Sequence, residues 1–124
     1  MNTPKITVGN VRNGLLPNHD IHLYCGRGNA PAGMVNARLG NPHHMNGESQ
    51  RHIVCELYEA DLVDDAHPHW KLITRIGERL AEGKSIALYC FCAPKRCHCD
   101  TIKKKAQIQC ALMRDPMNPF IPAR

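Results

Sequence analysis

Apolar positions alternate briefly at the start of the chain and recur at helical spacing through its middle. Ile6 and Val8 stand two residues apart and, with Val11 after a break, predict a short strand over residues 5–11. Asn13-Gly14 and Pro17-Asn18 end it with turn chemistry. Ile21-His22-Leu23-Tyr24-Cys25 predicts a second strand, closed by Gly26-Arg27-Gly28. A connection rich in Gly, Asn and Pro follows over residues 26–47, and a loop of that length inside a compact domain is usually functional or mobile. Its centre, Arg38-Leu39-Gly40-Asn41-Pro42, suits an ordered tight turn.

Helical spacing begins near Glu48. Ile53, Val54, Leu57, Tyr58 and Leu62 predict a helix over residues 48–62, with Asn46 as its N-cap. Pro68 opens a second helix, buried through Trp70, Ile73, Ile76 and Leu80 and ended by Gly83. Ser85-Ile86-Ala87-Leu88-Tyr89 reads as a buried strand. A third helix is expected from about Asp100 or Thr101, carrying Ile102, Ala106, Cys110 and Met113 inward.

This order predicts an α/β fold: a compact single domain with a small, three- to four-stranded, mostly parallel Rossmann-like sheet and helices packed on it. The domain is expected over residues 1–114, with 115–124 as a tail carrying Pro116, Pro119 and Pro122. A right-handed crossover would send the loops after Cys25 and Tyr89 from the same carboxyl edge, where ligands of open α/β sheets bind.

Composition narrows the picture. The 124 residues suit one domain, and 43% hydrophobic content supplies a core without disulfide staples. Aromatics are only 5%, so aliphatic side chains and Cys must fill that core. No apolar run approaches the roughly 20 residues that cross a bilayer, so no membrane partner is expected. Met1-Asn2-Thr3-Pro4-Lys5 lacks the apolar stretch of a secretory leader, which points to the cytoplasm.

The net charge of +5 attracts phosphates without resembling a nucleic-acid-coating surface. Glu56, Glu59, Asp61, Asp64 and Asp65 form an acidic run that reads as a solvated helix face. Lys95, Arg96, Lys103, Lys104 and Lys105 form a basic run, and its neighbouring Cys/His cluster makes it a candidate ligand attractor.

Seven Cys is many for this length, and Cys90, Cys92, Cys97 and Cys99 fall within one short stretch. In a reducing compartment, metal or thiol chemistry outranks disulfides. Cys90, Cys92, Cys97 and His98 offer the thiolate and imidazole donors of tetrahedral zinc, although the spacing is not that of a standard finger. The same segment also reads as an anion cradle at a strand–loop–helix turn, with Lys95 and Arg96 adding charge. Cys90 and Arg96 match the Cys-x5-Arg spacing of thiolate phosphatases, but the preceding His and the glycines are missing.

Packing as small hydrophobes suffices for Cys55 and Cys110. It does not explain His98 and Asp100 beside four Cys. His98 is a candidate metal ligand, acid/base group or anion donor. Asp100 orients His98 or caps the third helix, and capping is the expected role. His98 and Cys92 are the candidate catalytic side chains. On the other loop, Gly26 and Gly28 let the backbone approach a ligand that Arg27 can clamp, with Arg38 and Asn41 on the same connection. The plainer alternative there is a turn with a solvated Arg. Arg51 opens the first helix, and His43, His44, His67 and His69 are expected at the surface.

Taken in order, Cys25-Gly26-Arg27, Leu39-Gly40-Asn41-Pro42, Arg51, Tyr58, Gly83-Lys84, Cys90-Phe91-Cys92-Ala93-Pro94 and Cys97-His98-Cys99-Asp100 resemble domain-of-unknown-function family 4326. Its members are small proteins of bacteriophages and bacteria, with a pattern of roughly Gly-Arg, Leu-Gly-Asn-Pro and Cys-Trp-Cys-x-Pro-x-x-Cys-His-Gly-Asp. The likeness runs over about residues 6–105. Phe91 replaces the family's Trp, and Cys99 replaces its Gly, which tightens the turn or adds a ligand. The resemblance implies one site built from Arg27, Asn41, Cys92, Cys97, His98 and Asp100. It also implies a viral source acting in the host cytoplasm, but no established reaction.

The expected function is binding of a small anionic ligand, nucleotide-like or otherwise phosphorylated. Gly26, Arg27, Arg38 and Asn41 would hold it from one side, and Arg96, His98 and Asp100 from the other. A second class is a non-enzymatic interaction module that binds a host protein, with zinc on Cys90, Cys92, Cys97 and His98 for stability. Nucleic-acid binding ranks last, because no aromatics interleave the basic run to stack bases.

Overall fold

Strands β1 (Ile6–Asn10), β2 (Ile21–Tyr24), β3 (Val35–Asn36) and β4 (Ile86–Cys90) form one sheet in the computed structural model, which describes residues 5–115 and 117. The spatial order is β1-β4-β2-β3, and every pairing is parallel. A parallel sheet is covered on both faces, and central β4 is buried at all five positions. Ile86, Leu88 and Cys90 join the helix-side core, while Tyr89 points to the opposite face. There its hydroxyl accepts from the backbone N–H of Leu16 at 2.8 Å and meets His22 Nδ1 at 2.6 Å.

Three helices pack on the sheet: α1 (Arg51–Asp61), α2 (His69–Ala81) and α3 (His98–Arg114). Ile73, Ile76 and Leu80 are the buried stripe expected for α2, and they share one core with Ile102, Ala106 and Cys110 of α3. Gly77 lets the two helices touch closely, since a Cβ there would stand 2.7 Å from Gln109 Cβ. Gly83, at φ +92°, follows the end of α2 as foreseen. The α/β class, the small parallel sheet and the helices packed on it are therefore as the hydrophobic pattern indicates.

Several local expectations change. The stretch 48–62 opens as a 3-10 turn (Glu48–Gln50) before α1 begins, and Asn46 does not cap it. Instead the Asn46 backbone N–H donates to Gln50 Oε1 at 2.7 Å. Ile53 and Leu57 face outward, while Arg51, Cys55 and Tyr58 are the buried side of α1. The reason is what α1 covers: Asn41 and the carbonyl of Arg96 present polar groups that an aliphatic stripe would leave unpaired. α3 starts at His98, two residues early, because Cys97 rather than Asp100 takes the extended N-cap position.

The acidic and basic runs do not form two separate solvated faces. Arg96 reaches Glu59 at 3.5 Å and Glu56 at 3.8 Å, and Lys95 reaches Glu48 at 3.6 Å. Among the described residues, no helix is long and apolar enough to cross a membrane. The expected Pro-rich tail falls outside the described residues, apart from Asp115 and Met117.

Candidate functional site

A hollow of about 390 Å³ opens at the carboxyl ends of β2 and β4, with α1 as its third wall. On the β2 side the chain folds back sharply. The Tyr24 ring lies over Gly26, where a Cβ would collide with the tyrosine hydroxyl, and that hydroxyl donates to the Arg27 carbonyl at 2.6 Å. The turn aims the Arg27 guanidinium at the carbonyls of Asn41 (Nε 3.1 Å, Nη2 2.8 Å) and His43 (Nη2 3.1 Å). Asn41 is buried, donating Nδ2 to the Val54 carbonyl at 3.1 Å and accepting the His43 N–H at 2.9 Å. The long connection is thereby pinned to both Arg27 and α1.

On the β4 side, Asn10 Nδ2 donates to the carbonyls of Ala93 at 2.9 Å and Phe91 at 3.3 Å, which fixes the loop after the strand. Cys97 and Asp100 form a capping box, the Asp100 carboxylate accepting the Cys97 N–H at 3.0 Å. Asp100 therefore caps α3, and it does so from the third helical position. His98 is buried with Nε2 2.8 Å from the Cys25 carbonyl and Nδ1 3.4 Å from Cys97 Sγ. A carbonyl only accepts, so Nε2 carries the proton and Nδ1 faces the thiol. Burial holds this imidazole below the ordinary histidine range.

From α1, Arg51 is buried and grips Glu48 with Nε at 2.8 Å and Nη2 at 2.6 Å, while Nη1 donates to the Arg96 carbonyl at 3.0 Å. It also lies against the Cys92 thiol. The Arg51 hydrogen bond pulls the Glu48 carboxyl down to about 2. Arg96 is occupied by His52 at 3.1 Å and by Glu59, and Cys90 is buried, so the phosphatase-like spacing is not realised as an exposed thiolate beside a free guanidinium.

All seven cysteines are free thiols. The Cys97 and Cys99 thiols and the backbone N–H groups of Cys92 and Ala93 lie against Cys90 and draw its thiol well down. Cys97, whose sulfur faces Cys90, and Cys99, whose sulfur faces Cys25, are pushed up. Two groups of donors could hold a metal ion, with their ligand atoms within 4.8 Å of one another: Cys90, Cys92 and Cys97, and Cys97, His98 and Cys99. The expected set of Cys90, Cys92, Cys97 and His98 is thus divided between two triads that share Cys97.

Gly26, Arg27, Asn41, Arg96 and His98 line the hollow, as do Cys90, Cys92 and Cys97. Two candidates do not. Arg38 is exposed at φ +57°, its backbone N–H on Asn36 Oδ1, and Asp100 is turned to the helix cap. Of the two candidate catalytic side chains, Cys92 faces the hollow half-buried, whereas both nitrogens of His98 already have partners. His43, expected at the surface, lines the hollow and meets Asp61 at 2.6 Å, and His69 meets the Tyr58 hydroxyl at 2.8 Å.

Cys25 was not foreseen at the site, whereas Cys99 was named as an added ligand and Arg51 as a polar group near the same edge. A signal existed for Cys25: Leu23-Tyr24-Cys25 repeats as Leu88-Tyr89-Cys90, and the strands pair Leu23 with Leu88 and Tyr24 with Tyr89. That register carries the two thiols to the same edge of the sheet.

Matched over residues 10–108 by the family described as Domain of unknown function (DUF4326), the chain belongs to that family. No curated protein and no solved structure matches it.

Proposed function

We propose that this member of a family without an assigned activity binds a small anionic ligand, nucleotide-like or otherwise phosphorylated, in the hollow at the carboxyl edge of its sheet. One observation carries the reading. Arg27, Arg51 and Arg96 line a single hollow that has no carboxylate among its described lining residues. Arg51 and Arg96 are balanced by Glu48 and Glu59, but among the described residues Arg27 is held by carbonyls alone, so its positive charge is uncompensated there. Its Nη1 is left for a ligand oxygen. Phe91, half-exposed and edge-on to Tyr24 at 6.2 Å, gives the hollow an aromatic wall suited to a flat base or an apolar body. The volume lies within the range of small-molecule sites.

Thermal-shift measurements on chelator-treated protein with a panel of nucleoside mono-, di- and triphosphates test this. A ligand that binds only the folded chain raises its melting temperature with concentration. Stabilisation by at least one phosphorylated compound, and none by the parent nucleoside, is expected. No shift across the panel would contradict the reading.

A second reading rests on the closeness of Cys90, Cys92 and Cys97: zinc bound for stability in a non-enzymatic module that docks on a host protein. One zinc per chain, lost together with the fold on chelation and unaccompanied by any nucleotide effect, would favour it. Nucleic-acid binding remains the weakest reading, since Lys95 and Arg96 are paired with Glu48 and Glu59 inside the chain.

A further inference from the structure

We infer that Cys90, Cys92 and Cys97 form an open three-thiolate metal site whose fourth coordination position faces the hollow, so that the ligand's own donor atom completes the tetrahedron. This deepens the anion-binding reading and rests on it only for the identity of that fourth donor.

The three sulfurs come from one short turn whose ends are rigid. Cys90 is the last residue of β4, held by its pairing with Asn10, and Cys97 is the N-cap of α3. Cys92 lies on the loop between them, whose Phe91 and Ala93 carbonyls Asn10 holds, so all three thiols stand on a fixed backbone. Their mutual separations within 4.8 Å approach the roughly 3.8 Å sulfur–sulfur edge of a tetrahedron with about 2.3 Å zinc–sulfur bonds. Soft thiolates select a thiophilic divalent ion such as zinc over magnesium or calcium.

The alternative triad of Cys97, His98 and Cys99 meets the hollow through only two of its members. Cys99 is fully buried and absent from the hollow's lining, whereas Cys90, Cys92 and Cys97 all line it. Among the described residues no His, Asp or Glu joins Cys90, Cys92 and Cys97 as a fourth donor, and Cys99, which lies against Cys90 and Cys97, is not within 4.8 Å of all three. Structural zinc sites are closed by four protein ligands, and sites that act on a bound molecule keep a position open. Three thiolates around a divalent ion leave one net negative charge. Arg51 against Cys92 lies beside it, and Arg27 lines the same hollow and can steer an anion to the ion despite that charge.

Cobalt(II) added to the metal-free full-length chain tests the site, with the metal alone and then with azide as the probe. One equivalent should bind with thiolate-to-cobalt charge-transfer absorption, and azide should shift the visible ligand-field bands by occupying the open position. Cys92→Ser should weaken cobalt binding by at least about 10- to 100-fold, the loss typical even of an outer-shell partner. Cys110→Ser, which alters a thiol of α3 that does not line the hollow, should leave binding unchanged. Cobalt bound without charge-transfer absorption, an azide-insensitive spectrum in the unaltered chain, or full affinity in folded Cys92→Ser would each overturn the site. The spectrum of the unaltered chain decides the matter if Cys92→Ser does not fold. Nucleotide stabilisation measured in chelated protein reads the anion hollow alone, so the two proposals fail separately.

Discussion

Along β4 the helix-facing side chains change chemistry within five residues, and the two ends of that strand show two ways of closing a core. Ile86 and Leu88 lie in an aliphatic interior with Ile73, Leu80 and Ile102, held by apolar burial and close packing. Cys90, at the carboxyl end, meets Cys97 and Cys99 and receives backbone N–H groups from the turn beyond. The thiols are as buried as the aliphatics, yet their arrangement follows hydrogen bonding and charge. At the first end, shape decides what fits. At the second, the same degree of burial coexists with a hollow, a helix N-terminus and three guanidinium groups.

The difference can be broken most forcefully from the aliphatic side. Leu88→Ala should lower stability by about 2–5 kcal/mol in urea denaturation, with cobalt and ligand affinity unaffected in the folded fraction. Cys90→Ala in metal-free protein removes a single heavy atom and should cost distinctly less. A loss as large as that of Leu88→Ala would mean that the thiol holds its end by more than the volume it fills.

A smaller effect sharpens the comparison through pH. Burial holds His69 below its ordinary value near 6.5, so below that pH the unfolded chain binds a proton that the folded chain resists. Stability contributed by neutral His69 should therefore fall as pH drops from about 7 to about 5, and His69→Gln should flatten that slope in thermal melts. The smallest effect is at Glu48, whose carboxyl is pulled from 4.5 to about 2 by Arg51. Its contribution is present above about pH 4.5 and is lost as pH falls toward 2. Glu48 is solvent-exposed, so Glu48→Gln should change melting only slightly, and added salt should erase the difference.

How much of this was legible in the chain depends on the range of the interaction. Ile73, Ile76 and Leu80 announced α2 because a helix buried on one aliphatic stripe repeats its pattern locally. Ile53 and Leu57 misled for the converse reason: α1 buries Arg51 and Cys55 beside polar loop groups and sends Tyr58 into the core, and aliphatic spacing does not report that. β3 has only Val35 and Asn36, too short for alternation to register. The start of α3 was misplaced because Cys is not among the favoured capping residues. At the site, Arg27, Asn41 and His98 could be nominated by motif, but which of them share a hollow depends on strand order. Arg38 shows the limit, since it lies close to Asn41 in sequence yet its backbone turns it out to solvent.

The account stands most directly on calorimetric titration of a nucleoside monophosphate into chelated protein, comparing the unaltered chain with Arg27→Ala and Arg38→Ala. Both arginines lie on the loops after β2, and only Arg27 lines the hollow. Loss of a charge-assisted contact worth about 1.5–3 kcal/mol predicts an affinity at least roughly tenfold weaker in Arg27→Ala and unchanged in Arg38→Ala. Equal affinities in all three folded proteins, or no binding to the unaltered chain, would contradict it.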